Sequence, residues 1–113
     1  MKYFELELNG ETIKFRLTSN DCMVIEKSTG KSIIEYVQNL SISTVVNLLR
    51  YMRRSDVPNF SEKDATALYD KLVDAGYTLA TIIDEILLEA LAVSGFMSQE
   101  ELTELKSNKN SKK

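Results

Sequence analysis

The sequence contains no histidine and no tryptophan, and it has one cysteine, Cys22, and one proline, Pro58. Without histidine, the chain cannot form a Ser-His-Asp or Cys-His nucleophile system or a histidine pH switch. One cysteine can form no disulfide within the chain and cannot supply the several Cys or His ligands of a structural zinc site. We therefore expect a protein that is not an enzyme, with no catalytic residues, no cofactor and no metal site, in a reducing compartment.

Long hydrophobic runs are also missing. No apolar run approaches the roughly 20 residues of a membrane span, and residues 1–5 already include a lysine and a glutamate. We expect no signal peptide, no membrane association and a cytoplasmic location. The 113 residues suit a single domain, since 43% of them are hydrophobic and can form one core.

Charge is distributed unevenly along the chain. The formal net charge is −3, but residues 62–105 hold ten acidic and two basic residues, whereas residues 106–113 hold four lysines and no apolar side chain. We predict one domain over residues 1–105 and a disordered basic tail over 106–113, which is either a solvated end or a contact arm for an acidic partner. The acidic balance argues against a nucleic-acid partner and makes residues 62–105 the first place to look for a protein partner.

Residues 2–17 have the pattern of a β-hairpin. Apolar residues alternate on both sides of Asn9-Gly10, a dipeptide that favours a two-residue type I′ turn because both central residues need a positive φ. The predicted cross-strand pairs are Phe4 with Phe15, Leu6 with Ile13, and Glu5 with Lys14. A two-stranded ribbon is marginally stable alone, so its apolar face must pack on helices or its edge must pair with another chain.

The rest of the domain, residues 20–105, has the pattern of about five to six helices. Serine, threonine and glycine residues mark their ends. The predicted helices cover about 20–28, a segment after Ser32, a segment after Ser41 or Ser43, a segment from Ser61 to Gly76, a long helix from Thr78 to about Val93, and a segment from Ser98 to about Lys106. The fold class is therefore α+β, mostly α: an N-terminal β-hairpin followed by helices in a single compact helical domain.

The long helix carries apolar residues at i, i+3, i+4 and i+7 for nearly four turns, which predicts the core helix. The same spacing places Leu88 among the acidic residues of its wet face and predicts that it is exposed. In the preceding helix, the spacing places Val73 on the inward face. The predicted partner-binding residues combine these acidic side chains with apolar side chains near surface positions: Leu88, Phe96, Met97, Tyr51, Asp84, Glu85 and Glu89.

Three arginines, Arg50, Arg53 and Arg54, form the best basic cluster. Two interpretations remain open for it. The guanidinium groups either complement the helix dipole and pair with acidic residues of this chain, or they contact the phosphates of a nucleic acid.

The order of features resembles a known family. A strand with Leu6-Glu7-Leu8-Asn9-Gly10 precedes a short helix with Ile25-Glu26-Lys27 and a second helix with Ser32-Ile33-Ile34-Glu35-Tyr36-Val37. Later come the helix start Phe60-Ser61-Glu62 and a long acidic helix, Ile83-Asp84-Glu85-Ile86-Leu87-Leu88-Glu89-Ala90, followed by Ser94-Gly95-Phe96. Over roughly residues 3–97, this order resembles the tail assembly chaperones of long-tailed (siphovirus-type) bacteriophages and prophages of Gram-positive bacteria.

The resemblance implies a function in tail morphogenesis. Such a chaperone binds the tape-measure protein, helps recruit tail tube subunits, works in the host bacterial cytoplasm and is left out of the mature virion. It has no catalytic residues. A homo-oligomer is a further expectation, since a hairpin edge can add strands between copies. The alternative is a small DNA-binding or host-directed regulatory protein of a mobile element, in which the three arginines would contact DNA.

Overall fold

The computed structural model describes residues 2–111, and the side chains of residues 2–105. A two-stranded hairpin is followed by six helices, which confirms the predicted fold class. The elements are β1 (Phe4–Leu8), β2 (Glu11–Phe15), α1 (Ser19–Thr29), α2 (Ile33–Gln38), α3 (Ile42–Arg54), α4 (Glu62–Asp74), α5 (the consecutive segments Leu79–Ile82, Ile83–Leu87 and Leu88–Val93) and α6 (Gln99–Ser111).

The hairpin has the predicted register. Phe4 pairs with Phe15, Leu6 with Ile13, and Glu5 with Lys14. Asn9 and Gly10 both have positive φ, 52° and 82°, as the two-residue turn requires. Glu5 and Lys14 lie opposite each other but form no ion pair within residues 2–105, because the Lys14 ammonium lies over the Tyr3 ring at 5.7 Å from its centroid.

The apolar face of the hairpin packs inward, which was the first of the two alternatives that the sequence left open. Ile13 and Phe15 are buried. The outer edge of β2 is bonded to the end of α3: the backbone N–H of Arg16 donates to the Met52 carbonyl (3.1 Å), and the Arg53 guanidinium donates to the Lys14 carbonyl (2.8 Å). The hairpin is therefore an integral part of the helical core.

Capping hydrogen bonds start the helices where the sequence predicts. At α4, the Asp64 N–H donates to the Ser61 hydroxyl (3.1 Å), and the Ser61 N–H donates to the Asp64 carboxylate (3.0 Å). The Ser61 N–H that donates to the carboxylate, and after it the Ser61 hydroxyl, lower the pKa of Asp64. The same reciprocal arrangement joins Thr18 with Asp21, Ser32 with Glu35, and Ser98 with Glu101.

Helix α5 departs from regular α-helical geometry in its middle segment, Ile83–Leu87, which is a π-helix. The Leu88 N–H donates to the Ile83 carbonyl, five residues earlier, so Leu88 stacks above buried Ile83 rather than above Asp84. Leu88 is only 1% exposed. The prediction that Leu88 is exposed is therefore wrong, because it assumed a uniform α-helical period.

Two further predictions need correction. Val73 is 45% exposed, because α4 buries only a narrow stripe of Ala65, Leu68 and Leu72, and Val73 lies one residue past that stripe near the end of the helix. Helix α6 continues to Ser111 rather than ending near Lys106, since no glycine or proline follows its start. Residues 106–111 of the predicted disordered basic tail, 106–113, thus have the backbone of α6, and residues 112–113 lie outside the described residues.

Candidate functional site

The apolar residues predicted to bind a partner do not form one exposed patch. Leu88 is 1% exposed and Met97 is 7% exposed, and Phe96 is half-buried against the core. Met97 lines a small groove of about 160 Å³ between α2 and α6, whereas Tyr51 lines a different groove, between α1 and the end of α3. The structure therefore separates these residues, and burial closes Leu88 to any partner.

The acidic residues of α5 also differ from the predicted wet face. Glu85 is exposed, but Asp84 and Glu89 are half-buried. The three carboxylates therefore do not share one exposed strip.

The three arginines of the cluster differ in their contacts with the rest of the described chain. The Arg53 guanidinium donates to the Lys14 carbonyl (2.8 Å) and to the Asp56 carboxylate (3.1 Å), and it lies over the Phe60 ring. The Arg50 guanidinium lies over the Tyr51 ring, 4.9 Å from its centroid. Arg54 is exposed and makes no hydrogen bond or ion pair with the side chains of residues 2–105.

An open groove larger than the one between α2 and α6 lies between α1 and the end of α3, and we name it the α1–α3 groove. It has a volume of about 410 Å³. Its walls combine apolar and polar side chains: Thr18, Asn20, Asp21, Val24, Tyr51, Arg54, Ser55 and Pro58. Val24 is 41% exposed there, and its neighbour Met23 is 51% exposed on the same helix.

The sequence accounts for the exposed apolar residues of α1, which are not among the predicted partner-binding residues. Residues 22–25 are four consecutive apolar residues, and one helix face cannot bury all of them. Cys22 and Ile25 point into the core, so Met23 and Val24 are left at the surface. Such a run within a short helix is the signal that could have found this surface.

The α1–α3 groove can accommodate the apolar side chains of a partner. Val24, Pro58 and the Tyr51 ring supply apolar surface. The Asp21 carboxylate is already committed, since it accepts a hydrogen bond from the Thr18 N–H (3.1 Å) at the start of α1. The other side chains that line the groove are polar, so it offers a mixed surface, and a cleft of this kind between helices can bind an amphipathic helix.

A second groove, of about 270 Å³, lies between β2, the end of α3 and α4. The Lys71 ammonium and the Glu11 carboxylate form an ion pair there (3.1 Å), and Arg53 lies on its wall. Lys71 and Glu11 pair with each other, Arg53 is engaged by Asp56, and Asp64 accepts from the Ser61 N–H, so this groove offers less to a partner than the α1–α3 groove does.

The lone cysteine is a core residue. Cys22 is buried, and burial raises the pKa of its thiol to about 11. The reactive thiolate is therefore scarce at neutral pH. Within the described part of the chain, no three Cys, Asp or Glu side chains are grouped to hold a metal ion. None of the helices described has both the length and the apolarity to cross a membrane.

No protein-family model, curated protein or solved structure matches the chain.

Proposed function

We propose that this protein is a tail assembly chaperone of a long-tailed bacteriophage or prophage. In this proposal it binds the tape-measure protein, helps recruit tail tube subunits, works in the host bacterial cytoplasm and is absent from the mature virion. The order of hairpin and helices supports it, because the elements that carry the resemblance follow one another in the expected order.

The observation that carries the proposal is the α1–α3 groove with its exposed apolar neighbours. Val24 lines a cleft of about 410 Å³, and the residue before it, Met23, is exposed on the same helix of a protein with a net charge of −3. Exposed apolar side chains beside a cleft are typical of protein-binding surfaces, and a cleft between helices suits the apolar face of another helix.

With a long helical partner, the affinity of each individual contact can be low. A tape-measure protein offers many similar amphipathic segments along its length. When many copies of a chaperone bind along one chain, modest individual affinities add up through avidity. A single shallow groove per copy is therefore sufficient for the proposed function.

The alternative, a DNA-binding or host-directed regulator, rests on Arg50, Arg53 and Arg54. Arg53 donates hydrogen bonds to the Lys14 carbonyl of the hairpin and to the Asp56 carboxylate, and Arg50 lies over the Tyr51 ring. Phosphate binding by either arginine would have to displace these contacts within the protein. This leaves one uncommitted arginine in the cluster, and we favour the chaperone.

Co-expression tests the proposal. The full chain is produced together with the tape-measure protein encoded in the same genome, and the soluble fraction of the tape-measure protein is measured. We expect the wild-type chain to raise that fraction severalfold. Val24→Glu should reduce the gain, because the carboxylate would lose its hydration where the apolar face of the partner covers it, and that loss costs free energy.

Val73→Glu is the matched control, because Val73 is also a helical valine and is similarly exposed, at 45%, but lines none of the three grooves described above. It should leave the solubilisation intact. If the tape-measure protein stays insoluble with the wild-type chain, the chaperone proposal is wrong. If both valine variants behave alike, the α1–α3 groove is not the binding surface.

A further inference from the structure

We propose that the outer edge of β1 binds an extended segment of another protein, a strand that carries basic side chains at every second position. We name the outward-facing backbone groups of Glu5 and Glu7 the β1 edge. It shares no residue with the α1–α3 groove, so this interaction does not depend on the function proposed above.

The hydrogen bonds of β2 show which backbone groups of β1 point outward. The Lys14 carbonyl accepts from the Arg53 guanidinium (2.8 Å), and the Arg16 N–H also donates to α3, so both residues face away from β1. In an antiparallel pair, residues directly opposite each other exchange either two hydrogen bonds or none. Lys14 is opposite Glu5, so the Glu5 backbone points away from β2, and alternation gives Glu7 the same direction.

The β1 edge is open to an added strand. Within the described part of the chain, β1 pairs only with β2, and no group outside the hairpin forms a hydrogen bond with the backbone of Glu5 or Glu7. Both residues are exposed. Each of them supplies one N–H donor and one carbonyl acceptor, in the spacing that a further strand requires. The bonding groups therefore select an extended segment rather than a helix.

The side chains beside the β1 edge favour a basic strand. An added strand would lie one strand spacing, about 4.8 Å, from β1 and two spacings from β2. Glu5 and Glu7 would therefore be its nearest charged neighbours, and opposite charges directly across from each other are stabilising. The Glu7 carboxylate accepts a hydrogen bond from the Thr12 hydroxyl, but a carboxylate has acceptor sites for further donors. The net charge of −3 adds long-range attraction.

The cations on the same face of the hairpin belong to β2, the far strand. The Lys14 ammonium lies over the Tyr3 ring, and the Arg16 guanidinium donates to the Lys2 carbonyl (2.8 Å). Both cations are thus engaged within the hairpin and lie about twice as far from an added strand as the two glutamates. They oppose a basic strand less than the glutamates attract it.

The other face of β1 determines the residues between the basic ones. Phe4 and Leu6 are only half-buried, whereas Ile13 and Phe15 of β2 are buried. Because side chains alternate along a strand, the positions between the basic residues would lie beside Phe4 and Leu6. Apolar side chains there would cover the apolar surface that the hairpin leaves open.

A second copy of this chain fits the β1 edge less well. Antiparallel pairing of two β1 strands centred on Leu6 would place Glu5 of each copy opposite Glu7 of the other. Like charges directly opposite each other are destabilising. The two glutamates therefore act against self-pairing and favour a strand of opposite charge.

Short synthetic peptides test the proposal on the full chain. In one peptide lysine alternates with valine, and in another glutamate alternates with valine. A third is the lysine peptide with N-methyl groups on the lysine nitrogens that would face Glu5 and Glu7. Binding is measured by fluorescence anisotropy. We expect the lysine peptide to bind about tenfold more tightly than the glutamate peptide, as for two exposed ion pairs.

The methylated peptide separates strand addition from simple charge attraction, because it keeps its charge and loses the N–H donors. It should bind about fivefold more weakly than the unmethylated lysine peptide. Equal binding of these two peptides would overturn the proposal, and so would equal binding of the lysine and glutamate peptides.

Amide hydrogen exchange followed by NMR locates the contact. The amides of Glu5 and Glu7 should exchange about tenfold more slowly when the lysine peptide is bound, whereas the Leu6 amide, which faces β2, should be slow with or without it. Unchanged exchange at Glu5 and Glu7 would overturn the proposal. Slowing that appears at high protein concentration without peptide would identify a second copy as the occupant and would also overturn it.

A pair of double variants tests the role of the two glutamates. Glu5→Lys/Glu7→Lys should reverse the preference, so that the glutamate peptide binds more tightly. Asp70→Lys/Glu85→Lys is the control, because it changes the net charge equally at exposed positions of α4 and α5. It should keep the preference for the lysine peptide. Equal effects of the two double variants would mean that overall charge selects the peptide, and the proposal would be wrong.

Discussion

The hairpin and helix α5 both deliver apolar side chains to the core, but they do so in opposite ways. The hairpin buries one face, with Phe15 fully buried, and keeps Glu5 and Glu7 exposed on the other. Helix α5 is buried around most of its middle section, where Ile83, Ile86, Leu87 and Leu88 are all inside. A periodic apolar pattern describes the first element fully and the second only in part.

The difference comes from how many sides of each element meet water. When one face is solvated, a shift of one residue moves charged side chains into the core, so the pattern fixes the geometry. When nearly all sides are buried, apolar residues at successive positions satisfy more than one helical geometry. Helix α5 can therefore include a π-helical segment without exposing apolar surface or burying a residue such as Glu85.

The largest expected effect lies in α5. Leu88→Ala should lower the free energy of unfolding by about 3 kcal/mol, because it leaves a cavity in the core. Urea denaturation followed by circular dichroism measures the loss. Glu85→Ala, at an exposed position of the same helix, should change the free energy by less than about 0.5 kcal/mol. A loss of that small size for Leu88→Ala would mean that Leu88 is exposed, as a uniform α-helical period predicts.

Much of the fold follows from local sequence signals. The Asn9-Gly10 turn fixes the strand register, and Ser61 with Asp64 fixes the start of α4, because each signal depends on a few neighbouring residues. The π-helical segment could not be predicted, since Ile83–Leu87 contains no proline or glycine and its geometry depends on what packs around it. Val73 was misplaced for a related reason: the width of the buried stripe of α4 depends on its neighbours.

The candidate site was less predictable than the fold. The apolar run at residues 22–25 is a sequence signal for exposed apolar surface, but nothing local shows that Val24 borders a groove with Tyr51. The roles of the arginines depend on distant parts of the chain as well. Arg53 contacts Lys14, 39 residues earlier, and that contact distinguishes it from Arg54.

The next effect in size tests how the hairpin is attached to the helices. Arg53→Met removes the guanidinium that donates to the Lys14 carbonyl and to Asp56, while keeping a long apolar stem. We expect a loss of about 1–2 kcal/mol in the free energy of unfolding, typical of hydrogen bonds from a charged group. Hydrogen exchange of the β2 amides should become faster by a corresponding factor.

Arg54→Met is the matched control, because Arg54 is the next residue on the same helix and has no such contact. It should leave stability and β2 exchange close to those of the wild type. Equal losses in the two variants would mean that the end of α3, rather than the Arg53 contacts, determines how firmly the hairpin is held.

The smallest effect concerns the exposed face of the hairpin, where Glu5 and Lys14 are opposite each other in register. A double-mutant cycle with Glu5→Gln and Lys14→Met should give a coupling energy below about 0.5 kcal/mol. The reason is that the Lys14 ammonium lies over the Tyr3 ring and forms no ion pair with Glu5. Repeating the cycle in 1 M sodium chloride tests whether any coupling between Glu5 and Lys14 is an ion pair, because salt weakens attraction between exposed charges. A coupling near 1 kcal/mol that disappears in salt would show that Lys14 turns to Glu5 in solution. The charged face of the hairpin would then help to fix its register. Helix α5, which is buried around most of its middle section, has no such solvated charged face there, so the two elements would differ more.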